Sequence, residues 1–337
     1  MSDAFVSLTD LTLSYGQTVA VPDLNLDIVE GELIALLGPS GCGKTTTMRA
    51  IAGLLAPANG RIVIDGTDVT RTPANKRGIG LVFQSYALFP HLSAFENVAF
   101  GLRLQKLSDA QVRAKTEAGM ATVGLTGFEA RKPAEMSGGQ QQRLALARSL
   151  VMEPKVLLLD EPLSNLDARL RLEMRNELQR VQKDTGITMV FVTHDQSEAL
   201  ALADRIVLMK DGRIEQLGTP AQLYARPVTA FAADFMGFEN IFHVDGAYLV
   251  SDRGRLPLGY NADSQILAWR PSGVEVGHGP HTGRVIASSF AGGHREYVLE
   301  CPLGQIKADA PIETAEVPLG HEVAFDLPRA TARPLAA

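Results

Sequence analysis

The sequence predicts an α/β domain over residues 1–236, followed by a smaller all-β domain over residues 237–337. Two patterns carry that division. Up to about Met236, short apolar runs alternate with longer amphipathic stretches, as in a sheet covered by helices. Beyond Gly237 helical periodicity fades, and β-like runs (Tyr248–Val250, Gln265–Trp269, Arg284–Ala287, Glu296–Leu299, Glu322–Phe325) alternate with Gly- and Pro-rich turns, as in a small barrel or sandwich. A third observation is local. Leu33-Ile-Ala-Leu-Leu37 is apolar at every position, which marks a strand buried on both faces of a parallel sheet.

The elements of the first domain are delimited by their own chemistry. Asn59-Gly60, Asp65-Gly66 and Asp211-Gly212 are turn dipeptides. Ser93…Glu96, Ser108…Gln111, Ser137…Gln140 and Asp195…Glu198 each place a capping residue three positions ahead of Glu or Gln, the pattern of a helix start. Thr219-Pro220 reads as an N-cap followed by proline at the first helical position. The tail Arg329–Ala337 is expected to fray.

Composition narrows the function. Hydrophobic residues make up 45% and charged residues 21%, and the net charge is -6, so no overall basic field draws the chain to nucleic acid or anionic lipid. The apolar runs (Leu33–Leu37, Val156–Leu159, Met189–Val192, Ile206–Met209) are all far shorter than the ~20 residues a membrane-spanning helix needs. The first residues carry neither a basic nor an apolar stretch, so no signal peptide is expected. Cys42 and Cys301 sit in no metal or redox spacing, which makes a reducing, cytoplasmic setting the default. His278, His281 and His294 lack the cysteines or carboxylates that would complete a metal site, and a solvated Gly-rich loop is the expectation there.

The buried strand at Leu33 runs directly into Gly38-Pro39-Ser40-Gly41-Cys42-Gly43-Lys44-Thr45-Thr46, and a helix with Met48, Ile51, Ala52 and Leu55 at core spacing follows. That order is the one a phosphate chain requires. Glycines let backbone N–H groups wrap the phosphates, the helix N-terminus adds partial positive charge, Lys44 reaches the outer phosphates and the Thr45 hydroxyl ligates Mg²⁺. A guanine-reading Asn-Lys-x-Asp is missing: Asn75-Lys-Arg-Gly78 lacks the acid, which disfavours GTP. A second buried strand, Lys155-Val-Leu-Leu-Leu-Asp160, ends in the pair Asp160-Glu161. At the carboxyl end of a parallel strand, one acid can hold the Mg²⁺ shell while its neighbour polarises a water.

Ser137-Gly138-Gly139-Gln140, followed by Gln141-Gln-Arg-Leu-Ala-Leu-Ala-Arg148, closely resembles the signature motif of ABC-transporter ATPases. The resemblance implies a RecA-like core with an antiparallel β subdomain and a helical subdomain. It further implies that Tyr15 stacks on adenine, that Gln84 contacts Mg²⁺ and the attacking water, and that Ser164-Asn-Leu-Asp167 crosses the dimer. His194 would hydrogen-bond the γ-phosphate, with Glu161 as general base and Asp160, Gln84 and Thr45 around Mg²⁺. Two copies would meet head to tail, each ATP lying between the phosphate loop of one and the signature helix of the other.

Residues 238–337, with Trp269-Arg-Pro271, resemble the OB-like (TOBE-type) regulatory domain of ATPases that serve bacterial binding-protein-dependent importers, although Ser272 replaces the usual Glu. This resemblance implies two permease subunits and an extracytoplasmic solute-binding protein as partners, no nucleic acid, and a place on the cytoplasmic face of the plasma membrane. Asn75–His91 and Ile214–Pro220 look most like spermidine/putrescine ATPases, with ferric iron, aminophosphonate, sulfate and sugar importers as alternatives. A soluble ABC ATPase of repair or translation is the distant one, since the chain carries one motif set and no coiled-coil insertion.

Overall fold

A computed structural model describes residues 4–336, which divide into two compact units, one up to Pro220 and one from Ala221 onward. The first unit contains, in chain order, β1 (Val6–Tyr15), β2 (Thr18–Ile28), β3 (Leu33–Leu37), α1 (Lys44–Ala52), β4 (Asn59–Ile64), β5 (Thr67–Asp68), β6 (Ile79–Val82), α2 (Ala94–Leu104), α3 (Asp109–Thr122), α4 (Gly138–Leu150), β7 (Val156–Asp160), α5 (Ala168–Thr185), β8 (Thr188–Thr193), α6 (Gln196–Leu202), β9 (Arg205–Lys210) and β10 (Arg213–Gly218).

Two sheets organise this unit. The antiparallel one runs β2-β1-β4-β5, and Val6, Leu8, Leu11 and Leu13 of β1 point into the core. The other runs β10-β9-β3-β8-β7-β6, parallel from β9 to β6, with β10 added antiparallel at the edge. β3 and β8 are buried at every position, β3 being apolar throughout and β8 apolar between its terminal Thr188 and Thr193. Because β3, β8, β7 and β6 are consecutive neighbours and parallel, the residues after Leu37, Thr193, Asp160 and Val82 all emerge on one edge. Helices α2, α3 and α4 pack on one another.

The capping signals resolve into two kinds. Ser108 and Ser137 make reciprocal capping boxes with Gln111 and Gln140. Ser93 and Asp195 accept the N3 backbone N–H, but the Glu198 side chain is diverted to the Thr193 hydroxyl, 2.6 Å away.

One buried arginine closes the far end of α1. Arg77, 5% exposed, donates to Ala50 O (2.7 Å) and Ile51 O (2.9 Å) at the helix C-terminus and to Thr72 O (2.7 Å) and Thr70 O (3.1 Å). A cation at that end complements the helix dipole and satisfies carbonyls that have no partner within the helix. Gly53 makes room for it: a Cβ there would lie 2.5 Å from Arg77 Nε.

The second unit comprises α7 (Pro220–Ala225), α8 (Ala230–Phe235), β11 (Asn240–Asp245), β12 (Tyr248–Val250), β13 (Arg255–Pro257), β14 (Ile266–Trp269), β15 (Glu275–Phe290), β16 (His294–Cys301), β17 (Gly304–Pro311), β18 (Glu322–Asp326) and β19 (Arg333–Leu335). Its strands form two antiparallel sheets, β13-β12-β11-β14-β19 and β17-β16-β15-β18, an all-β, OB-like body. Trp269, Leu249, Val285, Leu299, Ile306 and Phe325 fill the core, and Trp269 Nε1 donates to Pro328 O at 3.0 Å.

Helices α7 and α8 are tied into the second unit. Arg270 stacks on Tyr224 (3.7 Å) and Phe238 (3.9 Å) and donates to Tyr224 O (2.7 Å) and Met236 O (3.0 Å). The tail is not frayed: Arg333–Leu335 pairs with Ile266–Ala268, and Leu335 is buried; Ala337 lies outside the described residues. His278 and His281 lie on strand β15, not in a solvated loop. His281 packs against Phe325, and His278 Nε2 contacts Glu275 Oε2 at 2.8 Å.

Arg77→Ala removes the side-chain donor from four backbone carbonyls, of which Ala50 O keeps the Gly53 N–H, and is expected to lower the unfolding free energy by about 3 kcal/mol. Urea denaturation of the two proteins measures this as a lower midpoint at unchanged slope.

Candidate functional site

The loop after β3 is shaped by two glycines with no room for a side chain. A Cβ on Gly38 would stand 2.3 Å from Met209 O, and one on Gly43 would stand 2.7 Å from Val21 Cγ2; φ is 149° and 100° at these positions. Pro39, Ser40 and Gly41 are exposed, whereas Cys42, Gly43 and Lys44 are buried. Lys44 Nζ ties the loop together from inside, donating to Gly38 O (2.7 Å) and Pro39 O (2.8 Å), with Cys42 Sγ at 3.7 Å. α1 starts at Lys44, so the N-terminal N–H groups of a buried helix end within the loop. Thr45 and Thr46 are half-buried in its first turn.

The acids stand opposite. Thr45 Oγ1 lies 3.4 Å from Asp160 Oδ1 at the end of β7. Burial raises the Asp160 pKa above the usual carboxylate range, and the neighbouring Glu161 charge adds to the rise; Thr45, Arg49 and Lys44 oppose it. A carboxylate held in an unfavourable place for its own charge suits a cation.

Glu161 sits on a left-handed backbone (φ 44°), with its N–H on Val192 O of β8 at 3.1 Å. That strained position turns its side chain towards two neighbours from separate strands. Gln84 Nε2 donates to Glu161 Oε2 (3.0 Å) and to Ser164 Oγ (3.1 Å), while His194 Nδ1 lies 3.3 Å from Glu161 Oε1. Ser164 Oγ donates to Glu161 O (3.0 Å), and Asn165 Nδ2 donates to Gln84 O (3.0 Å). The Glu161 side chain is 25% exposed and that of His194 58%, so the carboxylate faces a half-open space.

The remaining sequence candidates stand apart from this cluster. Tyr15 ends β1 at 48% exposure, opposite Thr18 of the same β2 strand whose Val21 abuts Gly43. Ser137, Gly138, Gly139 and Gln140 open α4, and Asp167 caps α5 by accepting Leu170 N–H at 2.9 Å. Among the described residues, the hydrogen bonds of Ser137, Gln140 and Asp167 are these caps, and none reaches Lys44, Asp160 or Glu161.

Sequence reasoning did not find the braces behind the site. Arg148, in the last turn of α4, donates to Ala87 O (2.7 Å) and Tyr86 O (2.9 Å), two residues with positive φ just after Gln84. Ser164 and Asn165, which the sequence offered only as part of the dimer-crossing stretch, bond directly to the Gln84–Glu161 pair. The available signal was a basic residue at a helix C-terminus and polar residues within two turns of the acid pair, both too common to stand out.

A phosphate loop on β3, adjacent acids on β7, and glutamine and histidine from β6 and β8 converging on the second acid define an ATP-binding cassette. Residues 21–164 match the ABC transporter family. The Fe(3+) ions import ATP-binding protein FbpC of Rhizobium etli is 51% identical over 315 residues, which is 89% of each chain. The spermidine/putrescine import ATP-binding protein PotA of Marinobacter nauticus is 52% identical over 242 residues, 72% of this chain and 65% of that one. Among solved structures, the dimeric ATP-binding cassette MJ0796, in a post-hydrolysis state bound to ADP and Pi, superposes with a TM-score of 0.57 at 34% identity, covering 64% of this chain and 98% of that one. The chain belongs to the family of ABC importer ATP-binding subunits, which hydrolyse ATP.

Because the Asp160 pKa is raised on folding, its ionisation opposes the folded state. The stability it contributes below its unfolded value of 3.8 is lost as pH rises through the higher folded value. Asp160→Asn is therefore expected to make the nucleotide-free chain more stable than wild type at pH 7, with the difference shrinking towards pH 4. Thermal melts across that range measure it; a less stable variant at pH 7 contradicts the account.

Proposed function

We propose that the chain binds Mg-ATP between the Gly38–Thr46 loop of one copy and the Ser137–Gln140 helix start of a second, and hydrolyses it with Glu161 as general base. The observation that carries this reading is the convergence of Gln84 and His194 on the Glu161 carboxylate, at the sheet edge from which the Lys44 loop also emerges. Thr45, Asp160 and Gln84 would hold Mg²⁺, whose role is to neutralise charge on the phosphate oxygens. Tyr15 would stack on the adenine.

In the reaction, an attacking water loses a proton to Glu161 as its oxygen bonds to the γ-phosphorus and the bond to the β-phosphate oxygen breaks. Gln84 orients that water. Lys44, His194 and Ser137 of the second copy stabilise the charge spread over the transferring phosphoryl group. Head-to-tail pairing accounts for the separation of Ser137 and Asp167 from the acid cluster within one chain, and the MJ0796 cassette is dimeric. ATP then bridges an interface that hydrolysis releases, a population shift set by differential affinity for closed and open pairs.

Among the described residues, no helix is long and apolar enough to cross a membrane. Two permease subunits would supply the path, with the chain bound to them at the cytoplasmic face and a solute-binding protein delivering cargo from outside. The β-rich second unit would serve regulation. For the solute, the Fe(3+)-import relative aligns over 89% of this chain and the polyamine-import relative over 72%. That difference in coverage favours ferric iron over the spermidine/putrescine reading of Asn75–His91 and Ile214–Pro220.

Glu161→Gln is expected to lower ATP turnover by about a thousandfold while stabilising an ATP-bound dimer by analytical ultracentrifugation; brisk hydrolysis removes Glu161 as base. Lys44→Ala should instead weaken nucleotide binding itself. Deleting the gene should abolish uptake of radiolabelled ferric iron and spare that of spermidine, and the opposite pattern restores the polyamine assignment.

A further inference from the structure

A second set of charged side chains lies behind His194, outside the roles assigned above. Glu198, 5% exposed on α6, accepts the Thr193 hydroxyl at 2.6 Å, and the same hydroxyl accepts Asp195 N–H at 3.0 Å. Thr193 and Asp195 flank His194 in the chain, so Glu198 holds the turn on which the imidazole is mounted. Asp195 caps α6 through Glu198 N–H (3.2 Å) and takes the Ser197 hydroxyl at 2.6 Å, which pins the other side of that turn.

Arg171 on α5 faces both acids. Its Nε stands 3.7 Å from Glu198 Oε1 and its Nη1 3.8 Å from Asp195 Oδ2. Its Nη2 donates to Leu166 O at 3.2 Å, in the loop that follows Glu161 and ends at the α5 cap. Burial pushes the Glu198 carboxyl pKa up, and Arg171 acts against that rise. A buried acid of this kind is expensive unless paired, and a helix of seven residues could be capped without it. The arrangement therefore suits precise placement of the turn rather than stability alone.

We propose that Arg171 and Glu198 form a clamp that positions His194 for the γ-phosphate and ties it mechanically to the Ser164–Asp167 loop. Neither is a catalytic residue; each acts through His194. Displacement of the loop by a second copy would pull on Leu166 O, and Arg171 would pass that displacement to the turn carrying His194. The inference rests on the proposed role of His194.

The test uses the full chain and steady-state ATP hydrolysis, in otherwise wild-type protein and in a His194→Ala background. Glu198→Gln keeps an acceptor for Thr193 while removing the charge that holds Arg171, and Arg171→Gln removes the other half from a partly exposed position that tolerates change. Each variant is expected to lower kcat by about tenfold or more, because small misplacements of a catalytic group are costly, with KM for ATP changed by no more than about twofold. In the His194→Ala background, each should alter the residual turnover, measured with radiolabelled ATP, by less than about twofold. Equal losses in both backgrounds, an unchanged kcat, or a loss confined to KM overturns the clamp. Should Glu198→Gln fail to fold, Arg171→Gln alone decides by the same criteria. If His194→Ala itself turns over at the wild-type rate, the assignment of His194 fails, and that result is separable from the others.

Discussion

The structure depends on one constraint: two adjacent acids must be carried, half-buried, at the end of a strand whose every other residue is apolar. β7 is held by parallel pairing on both sides, and its last residue, Asp160, still pairs with Val192 of β8. Glu161 then takes a left-handed turn that its N–H on Val192 O secures. Backbone strain at such a point costs on the order of 1–3 kcal/mol and persists only where surrounding bonds over-determine it. Here Gln84, His194 and Ser164 supply those bonds. The same contacts that hold Glu161 in place bring a carboxamide and an imidazole within reach of one carboxylate, so strain and function share a cause.

The neighbours of β7 follow from the same constraint. A sheet buried on both faces exposes polar groups only at its ends, and in a parallel arrangement the carboxyl ends share an edge. The phosphate loop after β3, Gln84 after β6 and His194 after β8 therefore meet the acids without any long-range design beyond strand order. What the order leaves undone, local braces complete. Arg148 fixes Tyr86 and Ala87 behind Gln84, and Lys44 closes its own loop on Gly38 O and Pro39 O.

Much of this was legible in the sequence because its determinants are local. The apolar runs at Leu33, Val156 and Met189 became the strands expected of them, and Ser108 and Ser137 became reciprocal caps, since strand burial and capping are decided within a few residues. Asp160 and Glu161 could be read from their place at the end of an apolar run, whereas Gln84 and His194 were singled out by the resemblance to ABC-transporter ATPases. What could not be read were interactions between residues far apart in sequence. Arg77 at the end of α1, Arg148 behind Gln84 and Arg171 beside Glu198 look like ordinary surface cations until the fold brings their partners together. The attachment of α7 and α8 to the second unit has the same origin, since Arg270, some forty residues further on, holds them there. The tail was misjudged because its three-residue strand gains order only from pairing with β14.

The architecture of a single copy also argues for a partner. Helix α4 presents a fully capped N-terminus with two glycines, Gly138 and Gly139, and such an end is a ready anion site. Within its own chain the Ser137 hydroxyl accepts the Gln140 N–H and the Gln140 side chain accepts the Ser137 N–H. The phosphate loop, for its part, already has a helix N-terminus and a lysine, but one side of it, Pro39 to Gly41, stands open. Each half offers donors that a triphosphate would use, and neither encloses one. Since a phosphoryl transfer site excludes water best when donors surround it, the geometry of one chain makes sense as half of a site.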